Sequence, residues 1–209
     1  MQEFVKDRAR QEIFKLKPYT PGKPIDEVKR ELGLQNIIKL ASNENPLGPA
    51  PRAIEAISNM LTEIHLYPDA NCFNLKKALS SYHDVPTTGI LIGNGSDELL
   101  KLLAETFLSS GDQIIVGQPT FSEYEFTALI MGAECIEVPL KDFTHDLPAM
   151  LDAITPKTKM IIICNPNNPT GTIVNRMQIK EFMSKLPPDI LVVFDEAYYE
   201  YVESPEYST

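Results

Sequence analysis

The sequence has few cysteines, a shortage of basic residues and no long hydrophobic run, and each shortage excludes a class of protein. Cys accounts for 3 of 209 residues, an odd number without paired spacing, which argues against a disulfide framework or a metal site. Lys and Arg number 19 against 29 Asp and Glu, a net charge of −10 that argues against a nucleic-acid partner. The apolar stretches are too short to cross a bilayer, so no membrane partner is expected.

Length and composition are those of a globular protein. The hydrophobic fraction of 43% is ordinary for a soluble domain, and 209 residues suffice for one domain with a substantial core, or for a domain with an arm. Residues 1–17 alternate charged and apolar side chains, which does not resemble a secretory signal. We therefore expect a cytoplasmic protein whose thiols are reduced.

Two short apolar runs are each followed by a polar motif. Residues 160–164 precede Asn-Pro-Asn-Asn-Pro-Thr-Gly at 165–171, and residues 190–194 precede Asp-Glu-Ala-Tyr. Such β-branched runs, bounded by turn residues, predict parallel strands buried on both faces. Ligands of open α/β sheets bind beyond the carboxyl ends of the strands. The amide of Asn168 and the carboxylate of Asp195 are therefore expected to share one crevice.

These side chains suit a flat heteroaromatic ligand. A carboxylate such as Asp195 that faces a pyridine nitrogen keeps it protonated, and the ring then withdraws electrons from its substituents. The Asn168 amide and the Tyr198 phenol are suited to orient the ring hydroxyl. A carboxylate at the ring nitrogen and an amide and a phenol at the ring hydroxyl are the contacts that a protein would supply to pyridoxal phosphate. Turn capping by Asn168, an ion pair of Asp195 and core packing of Tyr198 are the structural alternatives.

Four motifs, taken in their order along the chain, resemble those of a known enzyme family. The two motifs above, with Lys-Pro-Tyr-Thr-Pro-Gly-Lys-Pro at 17–24 and Leu-Ala-Ser-Asn-Glu-Asn-Pro-Leu-Gly at 40–48, resemble the fold-type I aminotransferases of class I/II. Within them the chain is similar to the histidinol-phosphate aminotransferases over residues 18–201. Aminotransferases acting on aromatic amino acids share much of this pattern.

The resemblance implies an α/β fold of three αβα layers around a mainly parallel sheet. It implies an N-terminal arm at 1–35, a small-domain segment at 36–50 and an incomplete large domain at 51–209. The spacing of strand, helix and strand independently predicts parallel βαβ units. Local patterns also predict short strands at 37–40 and 90–92, and one amphipathic helix over residues 1–15.

A glycine-containing turn from strand to helix is a candidate phosphate site. In Gly-Asn-Gly-Ser-Asp-Glu at 93–98, Gly95 lets the backbone approach an anion, and Ser96 is expected to cap the helix. Such turns are common, so only the resemblance makes phosphate binding specific here. Gly95, Ser96 and Asp97 are the expected contacts of the cofactor here. Asp97 and Glu98 are expected to contribute backbone amides, while their carboxylates point away.

The resemblance implies further aromatic and polar contacts. Phe121 would stack on the pyridine ring, and Tyr67 would reach the cofactor phosphate of the other subunit. Tyr19 and Asn43 would bind substrate, Tyr19 at its phosphate. The alternatives are core packing for Phe121, interface or surface packing for the tyrosines, and turn capping for Asn43. Tyr124 is expected to be structural.

The implied activity of the full-length family is transamination between histidinol phosphate and 2-oxoglutarate in histidine biosynthesis. The implied partners are an amino donor, a 2-oxo acid and a second copy of the chain in a homodimer. The family's Schiff-base lysine falls beyond Thr209, so this chain is expected to be truncated, inactive and marginally stable. The alternatives are a fragment of an aromatic or other amino-acid aminotransferase, or a non-catalytic dimerising remnant.

Overall fold

The computed structural model describes residues 2–16 and 22–207. The chain divides into two compact units. The sheet unit comprises Met1–Lys17 and Leu91–Thr209, and the helical unit comprises Pro18–Ile90. The predicted arm, small-domain segment and large domain remain predictions.

A four-stranded parallel sheet organises the sheet unit. Its strands are β1 (Gln113–Gln118), β2 (Glu134–Pro139), β3 (Thr158–Cys164) and β4 (Leu191–Asp195). The order across the sheet is β2-β1-β3-β4, and all three neighbouring pairs are parallel. The predicted α/β fold with a parallel sheet is confirmed, and the carboxyl ends of β3 and β4 lie side by side because Cys164 pairs with Asp195.

Helices connect these strands and precede the sheet. The α-helices are α1 (Gln2–Arg8), α2 (Ile25–Leu32), α3 (Pro51–Met60), α4 (Phe73–His83), α5 (Gly95–Phe107), α6 (Glu123–Ile130), α7 (Leu147–Asp152) and α8 (Arg176–Lys185). Short 3-10 turns lie at Gln11–Lys15, Thr87–Gly89 and Tyr199–Tyr201. Every helix in the described part of the chain is too short or too polar to cross a membrane.

Two apolar cores, one on each face of the sheet, give the sheet unit its three layers. The core under α5 and α6 contains Leu100, Ala104, Leu108, Ile114, Val116, Tyr124, Ala128, Met160, Ile162 and Cys164. The core under α7 and α8 contains Ile115, Val138, Leu147, Met150, Ile161, Ile163, Val174 and Phe182. Successive residues of β1 and β3 alternate between the cores because strand side chains point to opposite faces in turn.

Several local predictions were wrong. Residues 37–40 and 90–92 are not strands, and Ile38 and Leu40 are 88% and 90% exposed. An extended segment becomes a strand only when a neighbour completes its hydrogen bonds, and neither segment has one within the described chain. Residues 1–15 form α1 and a separate 3-10 turn rather than one helix. β4 is an edge strand, and its first four residues are half-buried rather than buried.

The helical unit has no buried residue among residues 22–90. Helices α2, α3 and α4 all lack a buried side chain, although each has apolar residues at helical spacing. Large apolar side chains such as Ile57 and Ile64 are 64% and 76% exposed. Because burial of apolar surface is the main force in folding, this unit has little to hold it together by itself.

A buried histidine supports the carboxyl end of β3. His145, in the loop before α7, places Nε2 3.0 Å from the carbonyl oxygen of Cys164, so Nε2–H donates to it. Its Nδ1 is buried with no hydrogen-bond partner among the described residues. A Cβ on Gly117 would lie 2.2 Å from Nδ1, so the ring itself requires glycine at position 117 of β1.

Limited proteolysis should cut the helical unit first, because its backbone is not protected by a core. Trypsin does not cleave the Lys23–Pro24 bond, so residues 22–90 contain 6 tryptic sites and residues 91–207 contain 7, and the number of sites does not favour cleavage of the helical unit. Mass spectrometry of a short trypsin digest should show early cleavage within 22–90 and a persistent fragment containing 91–207. Equal rates in the two segments would contradict the description of the helical unit.

Acid should destabilise the fold through His145. Burial lowers the pKa of His145 from its ordinary 6.5, and the hydrogen bond to Cys164 opposes this only in part. The unfolded chain therefore binds this proton more tightly, and stability present above about pH 6.5 is lost as the pH falls. Thermal melts of wild type and His145→Gln between pH 8 and 5 should show the shallower decline in the variant. If the melting temperatures of the two proteins fell equally with pH, His145 would not contribute to the loss of stability in acid.

Candidate functional site

A small cavity lies at the carboxyl ends of β3 and β4. It has a volume of about 60 Å³ and is lined by Ser96, Phe121, Cys164, Asn168, Asp195, Ala197 and Tyr198. The structure thus brings together five of the residues predicted from the sequence, from four separate segments of the sheet unit. Complete ligand pockets measure roughly 300–1,000 Å³, so this cavity is smaller than a complete ligand pocket.

The Asp195 carboxylate is the only acidic side chain in the lining of this cavity, and it is 9% exposed. Its Oδ2 accepts a hydrogen bond of 2.8 Å from the Tyr124 hydroxyl, and Oδ1 accepts one of 3.1 Å from the Ala197 amide. Within the described chain no Lys, Arg or His forms an ion pair with it. A buried carboxylate held only by neutral donors is suited to a cationic group of a ligand.

The polar loop after β3 uses its asparagines in two ways. The Asn165 side chain bonds the backbone of Val174 through both its oxygen (2.9 Å) and its nitrogen (3.2 Å). The Asn167 side chain accepts a hydrogen bond of 2.8 Å from Thr120. Both amides are buried and fasten the loop, whereas the half-buried Asn168 faces the cavity. The turn-capping alternative therefore describes Asn165 and Asn167 better than Asn168.

Two aromatic rings of the segment after β1 pack together beside the carboxylate. The Phe121 and Tyr124 rings meet edge to face, with centroids 5.6 Å apart and planes at 83°. Phe121 lines the cavity, while Tyr124 is fully buried behind it. Burial, together with neighbouring Cys164 and Asp195, raises the pKa of Tyr124 far above its ordinary value, so its hydroxyl remains a proton donor. Burial likewise raises the pKa of the Cys164 thiol, which lines the cavity in its neutral form.

The glycine-containing turn delivers the start of α5 to the cavity. The helix begins at Gly95, whose φ of 74° is in the left-handed region that glycine adopts freely. Ser96 lines the cavity as the second helical residue, so the prediction that it caps the helix was wrong. The Gly95 amide donates to the Gly93 carbonyl at 3.0 Å, which leaves the amides of Ser96 and Asp97 as the first-turn donors.

Hydrogen bonds within the turn hold the carboxylate of Glu98, one of its two acidic residues. The Glu98 carboxylate accepts hydrogen bonds from the backbone and side-chain nitrogens of Asn94, at 2.5 and 3.1 Å. It thereby closes the turn on itself. Burial, followed by the nearby charge of Asp97, raises the pKa of Glu123, a residue at the start of α6.

The remaining predicted residues lie outside the sheet unit or outside the described chain. Tyr67 and Asn43 belong to the helical unit, where Tyr67 is fully exposed and Asn43 sits in a turn with a φ of 51°. Tyr19 lies outside the described residues. Their predicted contacts with substrate and cofactor remain predictions.

A larger cavity of about 550 Å³ is lined by the loop after β2 and by α7 and α8. Its charged side chains include Lys185 and Glu181, which pair with each other at 2.7 Å. His145 also contributes to its lining but donates to Cys164 in the strand behind it. The smaller cavity is the better candidate site because the strand ends converge on it and its carboxylate has no counter-ion in the described chain.

The sequence-based interpretation missed the contacts of two residues, Tyr124 and His145, with the strand ends. Tyr124 was expected to be structural, and the structure bonds it directly to Asp195. His145 was not singled out, although its ring supports the carbonyl of Cys164. Their sequence contexts, an amphipathic helix and a polar loop, contain no signal that identifies partners 71 and 19 residues away.

Comparison with known proteins agrees with this geometry. The family model of aminotransferase class I and II matches residues 35–209. Histidinol-phosphate aminotransferases of Moorella thermoacetica and Brevibacillus brevis are 54% and 52% identical to the chain over 200 residues, or 96% of it. These stretches correspond to 52% and 55% of the two relatives, so the chain spans about half their length.

Solved structures show the same likeness. The histidinol-phosphate aminotransferase of Sinorhizobium meliloti, solved in complex with pyridoxal-5'-phosphate, superimposes with a TM-score of 0.86 at 25% identity. The match covers 96% of this chain and 54% of that one. Alanine aminotransferase of Pyrococcus furiosus shares the fold, with a TM-score of 0.70 over 77% of this chain. The family model covers most of the residues, and the chain belongs to the class I and II aminotransferases.

Proposed function

We propose that this cavity is part of a pyridoxal phosphate site. The whole protein would transfer an amino group between histidinol phosphate and a 2-oxo acid such as 2-oxoglutarate. The observation that carries the proposal is the buried Asp195 carboxylate, which faces a cavity and whose hydrogen-bond donors among residues 2–16 and 22–207 are neutral. The names of the similar enzymes support the substrate, and the complex of the Sinorhizobium meliloti enzyme supports the cofactor.

The side chains present fit the chemistry of this cofactor. Its pyridine nitrogen can carry a proton, and a buried, uncompensated carboxylate favours a cation beside it. Phe121 offers an aromatic face, while Asn168 and Tyr198 offer an amide and a phenol to the ring hydroxyl. A whole cofactor exceeds about 60 Å³, so part of it would extend beyond the cavity, past Ser96.

Each residue has a defined role in this proposal. Asp195 holds the proton on the ring nitrogen, and Phe121 fixes the plane of the ring, a contact worth roughly 0.5–1.5 kcal/mol beyond its area. The amides of Ser96 and Asp97 at the start of α5 bind the phosphate, assisted by the helix dipole. When bound, pyridoxal phosphate supplies an electron-withdrawing ring that stabilises negative charge at the substrate carbon.

Other parts of the proposal concern the whole protein. Tyr67 would reach the cofactor phosphate in a second copy of the chain, which makes the homodimer the proposed assembly. Tyr19 and Asn43 would contact substrate, and the location would be the cytoplasm. The function proposed for the described residues is to hold the cofactor through noncovalent contacts at this cavity.

Cofactor binding should depend on the charge of Asp195. Pyridoxine 5'-phosphate is the appropriate probe because it has no aldehyde and does not react with surface lysines. Asp195→Asn should weaken its binding to the 209-residue chain at least tenfold, since hydrogen bonds between charged groups contribute about 1.5–3 kcal/mol. Equilibrium dialysis against labelled ligand measures the dissociation constant.

The matched control is Asp146→Asn. It makes the same charge change in the sheet unit, at the N-cap of α7, where the side chain accepts from the Ala149 amide and Asn caps equally well. Its dissociation constant should stay within about twofold of wild type. Equal affinity of Asp195→Asn and wild type, or no binding by folded wild type at millimolar ligand, would refute the proposal.

A further inference from the structure

We propose that Tyr124 is a positioning residue that fixes the Asp195 carboxylate toward the cavity, so that the site selects a ligand with a protonated ring nitrogen. The inference rests on the proposed function and extends it to a residue that does not line the cavity. Tyr124 lies on α6, and its side chain is fully buried. Its hydroxyl donates to Asp195 Oδ2 at 2.8 Å.

Two donors from different elements hold the two oxygens of the carboxylate. Tyr124 holds Oδ2 from α6, and the Ala197 amide holds Oδ1 at 3.1 Å from the turn after β4. Rotation of the carboxylate would break both bonds at once. The orientation is therefore set before a ligand arrives, and binding does not have to order the side chain.

The kind of donor matters as much as its position. A Lys or Arg at position 124 would neutralise the carboxylate and compete with a ligand cation for it. A phenol orients the carboxylate and leaves its negative charge available. Burial raises the pKa of Tyr124, so the hydroxyl does not ionise beside Asp195 at neutral pH.

The Tyr124 ring also packs against Phe121, a residue that lines the cavity. Tyr124 meets Phe121 edge to face at 5.6 Å, and Phe121 lines the cavity. Replacement of Tyr124 by Phe keeps this ring contact and removes only the hydroxyl. The variant therefore separates the effect on Asp195 from the effect on Phe121.

The test compares two ligands on each protein. Pyridoxine 5'-phosphate has the ring nitrogen, and its carbocyclic analogue has a C–H in that place. Wild type should bind the nitrogen ligand more tightly. Tyr124→Phe should reduce this preference about tenfold, because a carboxylate that is no longer held toward the cavity loses most of its charged hydrogen bond to the ring nitrogen. Because both ligands are measured on the same sample, the folded fraction cancels from the ratio.

Tyr207→Phe is the matched control. The Tyr207 hydroxyl donates to the Asn165 carbonyl at 2.7 Å, directly after β3, and does not bond Asp195. Loss of this hydroxyl tests whether any disturbance of the strand ends changes the preference. The ratio of affinities should remain that of wild type.

The outcomes separate this inference from the proposed function. If wild type shows no preference for the nitrogen ligand, both fail. If wild type shows the preference and Tyr124→Phe retains it in full, the role of Tyr124 is overturned and the proposed function stands. In Asp195→Asn, the further change Tyr124→Phe should no longer alter the ratio, because the hydroxyl acts through the carboxylate.

A measurement on wild type covers the case in which Tyr124→Phe does not fold. The buried Tyr124 hydroxyl proton should give a slowly exchanging proton NMR resonance. Its position should shift when the nitrogen ligand binds and stay nearly unchanged with the carbocyclic analogue. Equal shifts with both ligands would overturn the inference.

Discussion

A buried negative charge that has no counter-ion among the residues that the structure describes is the constraint on which the site depends. Removing a carboxylate from water costs several kcal/mol unless a partner or hydrogen bonds compensate. Asp195 receives two hydrogen bonds from neutral groups and, within the described chain, no ion pair. The fold thus maintains an unbalanced charge in a cavity, which is suited to a ligand that brings the balancing cation.

The parallel sheet makes this arrangement possible. Pairing of β3 with β4 places Cys164 opposite Asp195, and the backbone N–H of Asn165 donates to the backbone carbonyl of Asp195 at 2.9 Å. The backbone at 195 is thereby fixed by the ladder, and only its side chain needs support from α6. At the carboxyl end of β3, His145 donates a hydrogen bond to the carbonyl oxygen of Cys164. Rigid strands carry the charged group, while loops contribute the contacts around it.

The sequence predicted the parts of the fold and site that depend on local pattern. β-branched runs with turn residues after them identified β3, β4, Asn168 and Asp195. The strand predictions at 37–40 and 90–92 failed because strand formation needs a neighbouring strand, which local pattern does not reveal. Tyr124 lies in an ordinary amphipathic helix pattern. Its hydrogen bond to Asp195, 71 positions away, arises from tertiary packing, which local sequence pattern does not reveal.

The most direct test of the account is the protonation of the ring nitrogen in the complex. Pyridoxine 5'-phosphate labelled with ¹⁵N in the ring can be titrated by NMR, free and bound to the 209-residue chain. The account predicts that the bound nitrogen remains protonated to a higher pH than the free one, because the Asp195 carboxylate stabilises the cation. Identical titration of the free and bound ligand would contradict it.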